Sequence, residues 1–143
     1  MTALTRWTAS PSLLRPFSSS LRNLFDEPWG DQEVSDSWWP AVDVRETGDA
    51  LFLHVELPGL SKKDIQVSLE GALLTITGER TLENPDNKAT FHRLERRYGK
   101  FSRSFRLPGR FDGGKVKARF ENGLLTLELP KTEQAKARQI EIN

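Results

Sequence analysis

The sequence predicts an all-β sandwich preceded by a mostly irregular arm and followed by a short tail. Three observations carry this reading. After residue 40, apolar residues recur with a period of two in runs of about five to eight. Turn residues bound each run. The first 40 residues are instead rich in Pro and Ser and keep no strand period.

The runs follow in order. Leu51, Leu53, Val55 and Leu57 alternate with Phe52, His54 and Glu56, between Thr47-Gly48-Asp49 and Pro58-Gly59. Ile65, Val67 and Leu69 alternate with Gln66, Ser68 and Glu70, and Gly71 ends them. Leu74 and Ile76 alternate with Thr75 and Thr77. Phe101, Phe105 and Leu107 share one face before Pro108-Gly109; Val116, Ala118 and Phe120 share another after Gly113-Gly114. Asn122-Gly123 then separates this run from Leu125, Leu127 and Leu129, and both turn residues tolerate positive φ, as a tight hairpin requires. Short strands with regular turns are the pattern of a sandwich.

Three segments break the rhythm. The arm, residues 1–40, holds all four tryptophans, Trp7, Trp29, Trp38 and Trp39, with Phe17 and Phe25 among Pro11, Pro16, Pro28, Pro40 and Ser18-Ser19-Ser20. Leu21, Leu24 and Phe25 fall at helical spacing, but one or two turns are too short to stand alone and need a groove. Rings that gain most from burial, carried on such an arm, point to contact with apolar surface, its own subunits' or another protein's. Next, Asn84-Pro85-Asp86-Asn87 reads as a loop, and Thr90–Glu95 as an isolated polar strand that must add to a sheet edge, in its own subunit or another's. Finally, Ile140 and Ile142 lie on one strand face at the end of a polar linker. They fit either a last strand of the same sandwich or a docking element.

Charge and composition narrow the function classes. The net charge is +1; the arm carries three basic and five acidic residues and the remainder 18 and 15, so neither part calls for a polyanion or a membrane surface. Absence of cysteine excludes disulfides and thiolate chemistry and fits a reducing compartment. The longest apolar stretches are far short of a membrane span. Residues 1–25 carry Arg6, Arg15 and Arg22 and no acid, as a transit peptide does, but Pro11 and Pro16 break the helix such a peptide needs. A cytoplasmic protein is expected. His54 and His92, the only histidines, have no catalytic partner at a known spacing, and Gly113-Gly114 is a turn pair, not a phosphate loop. No enzyme, cofactor or metal is expected.

Two charged features remain. Arg93, Arg96, Arg97, Lys100, Arg103, Arg106 and Arg110 form a basic cluster that could serve a nucleic-acid-binding β-domain. That reading needs exposed aromatics between the charges; Phe101 and Phe105 look core-facing and Glu95 interrupts, so a solvated, partly interfacial face fits better. Arg103 shares the face of Phe101 and Phe105, where a charge must find acceptors or reach solvent along a twisted strand. A charge satisfied at or near a subunit interface is favoured.

Five motifs in order carry a family resemblance: Glu56-Leu57-Pro58-Gly59-Leu60 with Lys63-Asp64-Ile65; Leu74-Thr75-Ile76-Thr77-Gly78-Glu79-Arg80; Phe101-Ser102-Arg103-Ser104-Phe105-Arg106-Leu107-Pro108; Ala118-Arg119-Phe120-Glu121-Asn122-Gly123-Leu124-Leu125; and Ile140-Glu141-Ile142. From about Ala41 to the end the chain resembles the small heat-shock proteins with their α-crystallin domain, and the Thr90–Tyr98 insert resembles the bacterial and plant branch. The resemblance implies an immunoglobulin-like β-sandwich over residues 41–130 and a tail over 131–143. It implies an ATP-independent holdase for unfolding client proteins, with Trp7, Phe17, Leu21, Leu24, Phe25, Trp29, Trp38 and Trp39 as client-binding residues. It implies homodimers by strand exchange through Phe91, Arg93, Leu94 and Glu95, with Arg103 at the interface. Larger homo-oligomers would follow from Ile140 and Ile142 docking between strands 65–70 and 115–120, on Ile65, Val67, Leu69, Val116, Ala118 and Phe120.

Overall fold

A computed structural model describes residues 38–83, 90–136 and 138–142. Seven strands form two antiparallel sheets: β1 (Val42–Glu46), β2 (Ala50–Glu56), β3 (Ile65–Glu70), β4 (Leu73–Arg80), β5 (Gly99–Arg106), β6 (Lys117–Glu121) and β7 (Leu124–Pro130). Their order is β1-β2-β7-β6 in one sheet and β3-β4-β5 in the other. The strands at the four sheet edges are therefore β1, β6, β3 and β5.

Alternation in the sequence becomes the core. Leu51, Leu53, Val55 and Leu57 lose all solvent contact, as do Leu127 and Leu129 beside them, while Leu74, Ile76, Phe101 and Phe105 close the core from the other sheet. Each such side chain contributes about 1.5–3 kcal/mol on burial. The Asn122-Gly123 turn has φ of 53° and 75°, so the β6–β7 hairpin is the two-residue kind expected. The Gly123 carbonyl accepts from the Leu57 amide at 2.7 Å, which ties that hairpin tip to the Pro58-Gly59 turn.

Four placements correct or narrow the sequence reading. Val42–Glu46 forms an edge strand, paired Val42↔Val55 to Glu46↔Leu51, that the periodicity did not pick out. Trp38 is not an exposed arm residue: it is 6% exposed and belongs to the core, its ring 5.0 Å from that of Phe101 and its Nε1–H donating to the Gly99 carbonyl at 3.0 Å. Residues 90–95 form no strand and add to neither sheet of their own chain. Residues 138–142 likewise form no last strand of the sandwich.

Candidate functional site

Edge strands β3 and β6, one from each sheet, leave a cleft of about 320 Å³ between them. Ile65, Val67, Ala118, Phe120 and Leu125 give it an apolar floor, and Lys62 and Arg119 complete the lining. Of the six groove residues expected, Leu69 and Val116 are not in the lining; they pack against the core, as do Ile65 and Phe120, which are in it. Lys62, Arg119 and Leu125 are additions. The 3-10 turn Lys62–Asp64 sets the mouth of the cleft. Its capping box is closed by Asp64, whose carboxylate accepts from the Ser61 hydroxyl and backbone N–H. Those bonds hold the Asp64 pKa below the ordinary carboxylate value. The turn is therefore stabilised above the usual carboxylate range and loosens as pH falls through the lowered value.

A strap of three residues, Trp38–Pro40, runs along the outer edge of β5. The Trp38 amide donates to the Lys100 carbonyl at 3.3 Å. Arg103 Nη1 donates to the Pro40 carbonyl at 2.9 Å, and its guanidinium lies 4.5 Å from the centre of the half-exposed Trp39 ring and 5.3 Å from that of Phe105. Arg103 thus finds the Pro40 carbonyl as an acceptor within its own chain.

Arg80 ends the Leu74–Arg80 motif, and the sequence reading gave it no role. It shares inward parity with Leu74, Ile76 and Gly78, which was the available signal. It is 9% exposed, and its guanidinium lies 4.0 Å from the centre of the Trp38 ring. It donates to the carbonyls of Pro58 at 2.6 Å and Arg97 at 3.1 Å, so one side chain ties the strap, the Pro58-Gly59 turn and the end of the 90–98 segment together. Burial, then the charge of nearby Arg96, lowers its pKa from the ordinary arginine value.

Two apolar pieces stand uncovered. Phe91 and Leu94 are half-exposed, next to an Arg93–Glu95 ion pair of 2.6 Å. Ile140 is 80% and Ile142 97% exposed. Phe101 and Phe105 are buried, so neither can offer a stacking face to a base. Trp7, Phe17, Leu21, Leu24, Phe25 and Trp29 lie outside the described residues. Among the described residues no helix is long and apolar enough to cross a membrane, and no group of three His, Cys, Asp or Glu is placed to hold a metal ion.

The model of the Hsp20/alpha crystallin family matches residues 43–143. The chain belongs to that family. Small heat shock protein C2 of Rickettsia felis is 41% identical over 103 residues, covering 72% of this chain and 67% of its own. A 17.8 kDa class I heat shock protein of Arabidopsis thaliana is 43% identical over 98 residues, covering 68% of this chain and 62% of its own. A small heat-shock protein from Xylella fastidiosa, described as having a distinct high order structure, superposes with a TM-score of 0.64 at 36% identity, over 74% of this chain and 97% of its own. Bacterial and plant relatives thus bear out the resemblance drawn from the motifs, and they support a chaperone role in stress.

In this small heat-shock chain the Arg103 contacts have a measurable consequence. Arg103→Ala should cost about 1.5–3 kcal/mol, the range for a hydrogen bond from a charged group. It should also expose Trp39, which shifts tryptophan emission to longer wavelength. Thermal unfolding followed by fluorescence checks both; a change within about 0.5 kcal/mol with no spectral shift would make the contact marginal.

Proposed function

We propose that the protein is an ATP-independent holdase that binds unfolding proteins and keeps them from aggregating. The observation that carries this reading is apolar surface which a single chain leaves uncovered: Phe91, Leu94, Ile140 and Ile142, together with the open β3–β6 cleft. Such surface suits reversible contacts between chains and with unfolded polypeptide. Trp7, Phe17, Leu21, Leu24, Phe25 and Trp29 on the arm, with Trp39 at its end, are the proposed client contacts. Trp38 is excluded from that set because the core uses it.

Assembly in this reading has two parts. The Phe91–Glu95 segment adds to an edge strand of a second copy and makes a dimer. The tail places Ile140 and Ile142 in the β3–β6 cleft of a neighbouring dimer. Burying one isoleucine gains about 1.5–3 kcal/mol, against about 1–2 kcal/mol for fixing each residue's backbone. One tail is marginal, whereas many tails in one particle hold through effective concentration. Larger particles are proposed on this arithmetic and on the high order structure of the Xylella fastidiosa relative.

Ile140→Ala with Ile142→Ala should therefore reduce larger species to dimers by size exclusion with light scattering. The unfolding midpoint should barely move, because neither side chain is in the core. A parent that already elutes as a dimer at micromolar concentration would remove the tail from the assembly.

Holdase activity is tested by heating a thermolabile enzyme with the protein and no nucleotide while following scattering. Suppression at equimolar subunits is expected. Suppression only with ATP, or none, rejects the reading, and tight binding of single-stranded DNA in a gel shift at physiological salt would favour the basic cluster as a nucleic-acid surface instead.

A further inference from the structure

Glu46 is the last residue of β1 and shares the parity of Val42 and Val44, the pair that packs on the core, rather than that of Asp43 and Arg45. Two cations meet its carboxylate. Oε1 lies 2.9 Å from Lys131 Nζ and Oε2 lies 3.4 Å from Arg110 Nη2. Among the described residues neither cation pairs with another carboxylate, and Arg110 Nε is buried without an acceptor. Lys131 Nζ also donates to the Thr47 carbonyl at 2.9 Å, and its side chain is 13% exposed. Arg110, the last member of the basic cluster, thus has its counter-ion inside the fold.

Lys131 is where the sandwich ends and the tail begins. Backbone bonds hold this root. The Lys131 amide donates to the Asp49 carbonyl at 2.8 Å and the Thr132 amide to the Arg110 carbonyl at 2.8 Å. The Ala135 amide then donates to Thr132 at 2.9 Å within the 3-10 turn Glu133–Ala135. Asp49 and Arg110 both lie in connecting segments rather than strands, and such segments move more than the elements they join. Glu46 is the strand residue that grips both sides. Through Lys131 and Arg110 it ties the tail root and the 107–112 segment to β1, whose own place is set by its register with β2. A chain end is ordered only as far as it is tied down, and charge-assisted bonds make the tie here.

We infer that Glu46 is the positioning residue for the tail: by holding Lys131 and Arg110 it fixes the direction in which residues 131–135 leave the sandwich, and with it the direction in which Ile140 and Ile142 are offered to a neighbour. The consequence for assembly rests on the tail-docking reading. The aim of the tail root does not, and the test separates the two.

The chain has no cysteine, so spin labels attach only where cysteines are introduced. Gln134→Cys on the tail root and Ser68→Cys on β3, both exposed positions, are made together with Ile140→Ala and Ile142→Ala, so that no docking restrains the tail. Labelled chains are diluted with unlabelled ones, and pulsed electron resonance reads the distribution of distances between the labels. One narrow distribution is expected. Glu46→Gln and Lys131→Met should each broaden it at least about twofold, whereas Lys131→Arg, which keeps the charge and its donors, should leave it narrow. Thermal unfolding is followed in parallel. A lowered midpoint with the distribution still narrow would make the cluster a matter of stability alone and overturn the inference. A parent distribution as broad as that of Glu46→Gln would overturn it too. With Ile140 and Ile142 restored, Glu46→Gln should move at least about half of the larger species to dimers by size exclusion with light scattering, since an unaimed tail has a lower effective concentration. Larger species left intact beside a broadened distribution would overturn the link from aim to assembly. A parent that is already a dimer, with the labels behaving as expected, contradicts tail docking and supports the aim of the root.

Discussion

Gly78→Ala should destabilise the domain by about 3 kcal/mol or more, the upper range for overpacking. For a domain of this size that lowers the unfolding midpoint by about 12 °C or more. Gly78 sits in β4, paired with Ile65 on one side and Phe101 on the other. A Cβ built there would stand 2.5 Å from the Asp64 carbonyl oxygen and 2.5 Å from Phe101 Cζ. Neither neighbour can yield. The carbonyl is backbone at the junction of the capped Lys62–Asp64 turn and β3, and the ring is 2% exposed and wedged against Trp38. Gly48→Ala is the matched control, because nothing lies within 4 Å of its Cβ position. It should change stability by no more than about 0.5 kcal/mol. Equal midpoints for the two variants would show that the glycine of the Leu-x-Ile-x-Gly motif is not there for space.

Deleting Thr90–Glu95 should leave folded monomers. No residue of the segment belongs to either sheet, so the core is untouched, and Arg80 keeps its Arg97 acceptor outside the deletion. What the proposed dimer would lose is the burial of Phe91 and Leu94 against a partner, about 1.5–3 kcal/mol for each side chain, counted twice in a symmetric dimer. Shortening the loop itself costs little. Made in the Ile140→Ala, Ile142→Ala background, which leaves dimers alone, the deletion should give the mass of a single chain by sedimentation with an unchanged far-ultraviolet spectrum. A deletion variant that remains dimeric would place the contact elsewhere.

The core strands were legible for a physical reason. β2 and β7 are central in their sheet and bury one face, so Leu51, Leu53 and Val55, and Leu125, Leu127 and Leu129, recur at every second position. β1 was not legible because it offers only Val42 and Val44, half-buried at an edge among Asp43, Arg45 and Glu46. Trp38 was misplaced because composition assigns it to a Pro- and Ser-rich arm, whereas its burial depends on Phe101 and Arg80, distant in sequence. The groove was half legible. Parity puts Ile65, Val67 and Leu69 on one face, but the cleft stops short of Leu69 and of Val116, which precedes β6, and takes in Leu125 of the neighbouring β7. Residues 90–95 could be read only as a segment needing an edge, since a strand is a property of a pair, and within the described chain they pair with neither sheet.

The central claim is that uncovered apolar surface on this chain holds other proteins by contact alone. Native mass spectrometry of the protein heated with a thermolabile client, without nucleotide, measures this directly. The expected result is a set of soluble complexes containing both chains, absent before heating, and depleted when Trp29 and Trp39 are replaced by serine. Client lost to aggregates while the protein's own assemblies keep their mass and carry no client would contradict it.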